Sequence, residues 1–160
     1  MQLAASANLW YRNANWVWAG LALLVATYAA AIPHVLLTQL FPSWEAGPGS
    51  PALDASDTVG KLFLASLVAP LVETALLQWA PIRILRGTFG AGPKLTVCVS
   101  AALFAATHPY SLGYVCLTFL IGVVLAYGYL ARNPSGGHAF WVVFSAHAIR
   151  NLLATVALSF

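Results

Sequence analysis

Apolar residues in this chain run in long, nearly unbroken stretches separated by short polar breaks, without the two-residue alternation of a half-buried strand. The stretches at 16–40, 58–80, 95–108, 112–131 and 139–158 predict five apolar helices. A helix needs roughly 20 apolar residues to cross a hydrocarbon core of about 30 Å, so each is a candidate membrane span, the third being short. Pro33 predicts a kink in the first, and Pro109 disfavours helical geometry at His108, where the third should end or bend. Trp10, Tyr11 and Arg12 precede the first run as an interfacial aromatic anchor beside a positive flank. The Ala29-Ala30-Ala31 triplet resembles the cleavage site of a secretory leader, but the apolar run continues through Val35, Leu36 and Leu37. A retained helix is the better reading.

The breaks set the topology. Residues 41–57 hold Pro42, Pro48, Gly49, Pro51 and three acids (Glu45, Asp54, Asp57), an extramembrane loop. Residues 81–94 form a short basic loop with Arg83, Arg86, Lys94, Gly87, Gly90 and Gly92, and residues 132–138, through Asn133-Pro134-Ser135-Gly136-Gly137, form a turn. Five alternating spans put Arg12, the 81–94 loop and Arg132 on one side and the acidic loop on the other. Cytoplasmic flanks collect Lys and Arg, so the amino terminus is expected in the cytoplasm and the carboxyl terminus outside.

Composition agrees with lipid as the solvent. Only 7% of residues are charged against about 25% in soluble domains, 61% are hydrophobic, and the mean hydropathy is +0.81. The expected fold is an all-α, polytopic transmembrane helix bundle, a single domain over residues 1–160. A net charge of +3 comes from basic residues scattered singly between apolar runs, which excludes a phosphate-tracking stripe and hence nucleic acid as a partner. Cys98 and Cys116 lie inside apolar runs with no partner at metal-ligand spacing and read as reduced, buried packing residues.

Ionisable groups within spans are expensive, about 2.5 to 3.5 kcal/mol for an acid at a helix centre, so each is a functional candidate. Glu73, His108, His147 and Arg150 qualify, with Asn151 as a buried amide. His147 and Asn151 are four apart on one helix face, as are Phe104 and His108. At about 1.5 Å per residue Glu73 lies roughly 15 Å from Arg83, His108 about 21 Å from Lys94 and Asn151 about 18 Å from Ala139. Those depths suit one interior site. Ordinary interhelical hydrogen bonding returns only about 0.6 to 2 kcal/mol, less than the insertion cost. Arg150 points about 100° away from Asn151 and is expected to play a structural part, paired with the acid or snorkelling outward.

These residues resemble the motifs of the CPBP family of intramembrane proteases (CAAX proteases and bacteriocin-processing enzymes). The family's EExxxR, with a Pro a few residues earlier, is similar to Pro70-Leu71-Val72-Glu73-Thr74-Ala75-Leu76-Leu77-Gln78. Its FxxxH resembles Phe104-Ala105-Ala106-Thr107-His108, and its HxxxN resembles His147-Ala148-Ile149-Arg150-Asn151. Phe119 and Gly122 resemble its Phe-x-x-Gly helix, and the likeness covers a core of residues 67–153. Thr74 and Gln78 stand where the family has its second Glu and its Arg. Four residues apart, they are expected to replace an ion pair by a neutral hydrogen-bonded one.

The resemblance implies a small, divergent prokaryotic member in the inner membrane, cleaving a membrane-anchored or lipidated protein substrate. Glu73 is the expected general base, His108 the group that holds or polarises the water, and His147 with Asn151 the oxyanion donors; Thr74, Gln78, Phe104 and Arg150 support them. The residues alone leave zinc open as a cofactor, held by Glu73, His108 and His147, although no HExxH is present. The family implies a metal-independent, glutamate-type mechanism. The altered motif leaves two rivals: an inactive member acting as a membrane binding, immunity or scaffold protein, and a small transporter, the latter ranked last for want of an inverted repeat.

Overall fold

The computed structural model describes residues 2–41, 57–133 and 138–159, which hold six helices and no strand. Most of the expected acidic loop (42–56) and of the turn before the last span (134–137) lies outside the described residues. The helices are α1 (Gln2–Asn13), α2 (Trp16–Leu40), α3 (Thr58–Gly87), α4 (Pro93–Ala106), α5 (Leu112–Arg132) and α6 (Ala139–Ser159). Local chemistry sets several starts. Asn15, Asp57 and Ser111 each cap the following helix by accepting a backbone N–H, from Trp18 (3.0 Å), Gly60 (2.6 Å) and Tyr114 (3.0 Å). Pro93 opens α4, where its missing N–H costs nothing.

Four of these helices, α2, α3, α5 and α6, are long and apolar enough to cross a membrane. The protein is an integral membrane protein. At 14 residues α4 rises only about 21 Å, short of a full crossing, as its short apolar run foretold. It ends at Ala106, so His108 stands in the connection to α5 rather than on the helix.

Four features differ from expectation. A helix, α1, precedes the first span where only an interfacial anchor was expected. Arg132, read as a topology signal, is buried and donates from Nη1 to the carbonyls of Tyr11 (2.6 Å) and Ala14 (3.0 Å), tying α1 to the end of α5. Its guanidinium lies 5.7 Å from the Tyr11 ring centroid, and Tyr11 in turn donates to the Gly128 carbonyl (3.4 Å). Burial pushes the Tyr11 phenol up to about 12, against the pull of Arg132, so it stays protonated as a donor. The third difference is α3, which runs to Gly87 and carries Arg83 and Arg86 on its last turns instead of in a loop. Cys98 is exposed and Cys116 half-buried, both as free thiols, so Cys98 lies on the surface of the bundle and not in the core.

α3 passes through two prolines by loosening its winding. Leu64–Val68 and Thr74–Trp79 are π-helical, on either side of an α-helical turn, Ala69–Glu73. The Ala69 N–H bonds to Leu64, five residues back, and Pro70, next in that register, has no N–H. The Ala65 carbonyl is thereby denied both its helical donors. Pro81 likewise has no N–H for the Leu77 carbonyl four residues back. Side chains of other helices reach both: Asn151 Nδ2 donates to Ala65 (3.1 Å), and Ser100 Oγ donates to Leu77 (2.5 Å).

The buried core joins Leu23 of α2, Ile82 of α3, Phe104 of α4, Leu125 of α5, and Val142 and Val143 of α6. α4 and α5 come close together where Gly122 meets Ala101: a Cβ at Gly122 would lie 3.0 Å from the Ala101 Cα. Gly122→Val is therefore expected to cost about 1 to 3 kcal/mol and lower the unfolding temperature in detergent. Gly20→Ala, where nothing lies within 4 Å, is expected to leave it unchanged or raise it. Equal behaviour of the two variants would show that this approach does not govern stability.

Candidate active site

Glu73 closes the α-helical turn between the two π segments, so its carboxylate leaves α3 where the winding changes. The two oxygens face different imidazoles. Oε1 lies 3.7 Å from His108 Nε2 and Oε2 3.5 Å from His147 Nε2. His147 is nearly sealed, with 4% of its side chain exposed, whereas His108 and Glu73 retain 14% and 20%. The site is thus an interior cluster whose remaining exposure is at Glu73 and His108.

Each imidazole is held from behind. Phe104, buried, lies between them, its ring centroid 4.9 Å from that of His108 and 5.5 Å from that of His147. His108 Nδ1 sits 2.8 Å from the Phe104 carbonyl and 3.1 Å from Thr107 Oγ1. A carbonyl can only accept, so this contact places the proton of a neutral His108 on Nδ1. The lone pair of Nε2 then faces the Glu73 carboxylate, two acceptors set 3.7 Å apart. Such a pair requires a shared proton or a bridging donor molecule, and a water with its two hydrogens directed at Nε2 and Oε1 fits that requirement.

The structure therefore brings together three of the four expected catalytic residues, Glu73, His108 and His147. Asn151 takes a different position. Its Nδ2 is bonded to the freed Ala65 carbonyl, about two helical turns before Glu73 along α3. One amide N–H braces α6 against α3, and the second is left for another acceptor. Arg150 faces Tyr28, with its guanidinium 5.6 Å from that ring centroid, and has no carboxylate partner among the described residues. Half-buried, with its guanidinium on the Tyr28 ring, Arg150 fastens α6 to α2, in keeping with a structural part.

Thr74 and Gln78 do not form the expected pair. Both are fully buried, and Thr74 Oγ1 has no hydrogen-bond partner. Gln78 lies instead against Ser100 Oγ of α4, at 2.8 Å. The two groups satisfy each other best when Gln78 presents its NH2, so that the hydroxyl accepts from Gln78 and donates to Leu77. The π winding of Thr74–Trp79 underlies the change, because it turns the two positions out of ordinary i, i+4 register.

Reading the sequence missed Tyr110, Tyr114 and Ser100. Tyr110 and Tyr114 pack on His108, with centroids 6.2 and 5.9 Å away, and on each other at 5.3 Å. Their four-residue spacing just after His108 was the available signal. Among the described residues no group of three or more His, Cys, Asp or Glu side chains is arranged to hold a metal ion.

No curated protein and no solved structure matches the chain significantly. A family model does: the one described as type II CAAX prenyl endopeptidase Rce1-like matches residues 55–153, from the start of α3 into α6. That stretch carries Glu73, Phe104, His108, His147 and Asn151, the residues that form or brace the cluster. On a match over more than half its length, the chain belongs to the type II CAAX prenyl endopeptidase Rce1-like family.

Proposed function

We propose that this protein is an intramembrane endopeptidase that hydrolyses a peptide bond of a membrane-anchored or lipidated protein, using a water activated by Glu73. The observation that carries the proposal is the Glu73 carboxylate set between two imidazoles in the bundle interior, 3.7 and 3.5 Å away. Membership of an endopeptidase family supports the reaction class.

In this scheme the water lies between Glu73 Oε1 and His108 Nε2, each accepting one of its hydrogens. Glu73 takes a proton as the water oxygen bonds to the scissile carbonyl carbon. The carbonyl oxygen becomes an oxyanion, which receives the His147 Nε2–H and the second N–H of Asn151. As the C–N bond breaks, Glu73 returns its proton to the leaving amine. Glu73, His108, His147 and Asn151 are the catalytic residues, Phe104 fixes both rings, and no metal enters any step.

Glu73→Gln keeps the shape of the side chain and removes the base. Cleavage is expected to fall by at least 100-fold with the unfolding temperature near that of the unaltered protein. The reading to take is peptide termini across membrane and exported proteins of the host. Termini that persist in a strain where the folded variant is abundant would remove Glu73 from the mechanism and favour a binding or scaffold protein. Thr74→Ala removes a hydroxyl that has no partner and should have a milder effect on turnover; complete loss there would move the chemistry to the neighbouring position.

Metal independence is a separate prediction. Purified protein is expected to keep full turnover after chelation and dialysis and to carry no stoichiometric zinc. Loss of turnover restored by added zinc would replace the water scheme by one in which Glu73, His108 and His147 hold the ion.

We place the amino terminus in the cytoplasm and the carboxyl terminus outside, in the inner membrane of a prokaryote. Support comes from the gathering of Arg12, Arg86 and Lys94 around one cavity at one end of the bundle, since basic residues mark the cytoplasmic face.

A further inference from the structure

At that basic end, away from Glu73, a cavity of about 540 Å³ opens between α1, the end of α3, the start of α4 and the end of α5. Arg12, Arg86 and Lys94 line it, each from a different helix, and Asn8 and Asn133 add amides. Three of the chain's seven Lys and Arg thus meet at one place. Among the described residues no acid lines the cavity and no carboxylate pairs with any of the three cations. Like charges repel, so an arrangement of this kind calls for an anion.

The cations are held in place by the fold. Arg86 Nη1 donates to the Ala91 carbonyl (2.8 Å), which keeps the guanidinium at the rim. Arg12 sits on the helix that Arg132 clamps to α5. Lys94 is in the first turn of α4, whose free N–H groups add the positive end of a helix dipole. Asn8 Oδ1 is buried here without a hydrogen-bond partner.

The rest of the wall is apolar. Val97 and Cys98 of α4 and Tyr127 and Leu130 of α5 line it, and Cys98 and Tyr127 are exposed on the outer surface of the bundle. In a membrane protein that surface meets acyl chains. The cavity therefore joins a cationic end at the level of the headgroups to an apolar flank continuous with the bilayer. A soluble phosphate would use only the first of these features.

We propose that this cavity binds an anionic phospholipid, its phosphate among Arg12, Arg86 and Lys94 and an acyl chain along α4 and α5. The site is distinct from the Glu73 cluster and stands whether or not that cluster cleaves peptides. A choline headgroup, which carries its own cation, would bind less well because its ammonium faces three positive charges.

The test measures binding of phosphatidylglycerol, phosphatidylcholine and inorganic phosphate to the full chain in neutral detergent by native mass spectrometry, with unfolding temperature as a fold control. Phosphatidylglycerol is expected to bind saturably at one site and more tightly than phosphatidylcholine. The double variant Arg12→Gln/Lys94→Gln is expected to bind it roughly 25-fold more weakly, with its lipid-free unfolding temperature unchanged. If the double variant does not fold, Lys94→Gln alone should weaken binding about fivefold. Cys98→Trp, which fills the apolar flank and leaves every charge in place, should also weaken it. Equal binding of the two lipids, or undiminished binding by the charge variants, would overturn the proposal. Inorganic phosphate displacing the lipid at millimolar concentration would overturn it in favour of a soluble anion.

Discussion

A hydrocarbon core offers no water to an unpaired backbone carbonyl, and that constraint shapes this protein more than any other. α3 contains two prolines within the membrane, and each withholds a donor from a carbonyl one turn earlier. The helix answers in two ways at once. It slackens into π winding around the first proline and ahead of the second, and it borrows donors from its neighbours, Asn151 at Ala65 and Ser100 at Leu77. The borrowed bonds fasten α6 and α4 to α3 at two heights on either side of Glu73. What would be a defect in an isolated helix becomes the means by which three helices are brought into one register around a carboxylate.

That register explains the geometry of the cluster. Glu73 ends the only α-wound turn between the π segments, so its direction depends on winding that the prolines impose. His147 comes from the helix pinned at Ala65, and His108 from the connection after the helix pinned at Leu77. Phe104 then fills the wedge between the two imidazoles. Relative positions of the three polar groups are thus set by hydrogen bonds to backbone carbonyls and one aromatic ring, and among the described residues the carboxylate makes no direct hydrogen bond of its own.

Much of this was legible in the sequence. Five apolar stretches, four of them at membrane length, with a basic loop and an acidic loop between them, are enough for an all-helical membrane bundle. Glu73, His108 and His147 stood out because an ionisable side chain in such a stretch is costly, and they do meet. The partner of Asn151 was not legible, because which carbonyl loses its donor depends on whether α3 counts four or five residues per hydrogen bond. The pairing of Thr74 with Gln78 failed for the same reason: spacing arguments assume α winding, and the π segment breaks that assumption. The hydrogen bonds of Arg132 were not legible, because a buried cation tied to two carbonyls and an exposed cation at a membrane flank have identical sequence signatures. Cys98 was misread because apolar neighbours do not distinguish core from lipid-facing surface in a membrane protein.

The shortness of α4 follows from the same logic and locates the opening of the site. A full-length α4 would carry His108 on a regular helix. Pro109 stops the helix early, and the connection that follows bears His108, with Tyr110 and Tyr114 stacked against it. Non-helical backbone at membrane depth is tolerated only where protein covers it or where it lines a wet cavity. Here both conditions divide the labour: the tyrosines and Phe104 cover the His108 ring, while the exposed remainder of His108 and Glu73 marks the edge at which water can reach the carboxylate. Glu73 and His108 thus stand at the edge of the cluster, and the sealed His147 stands behind them.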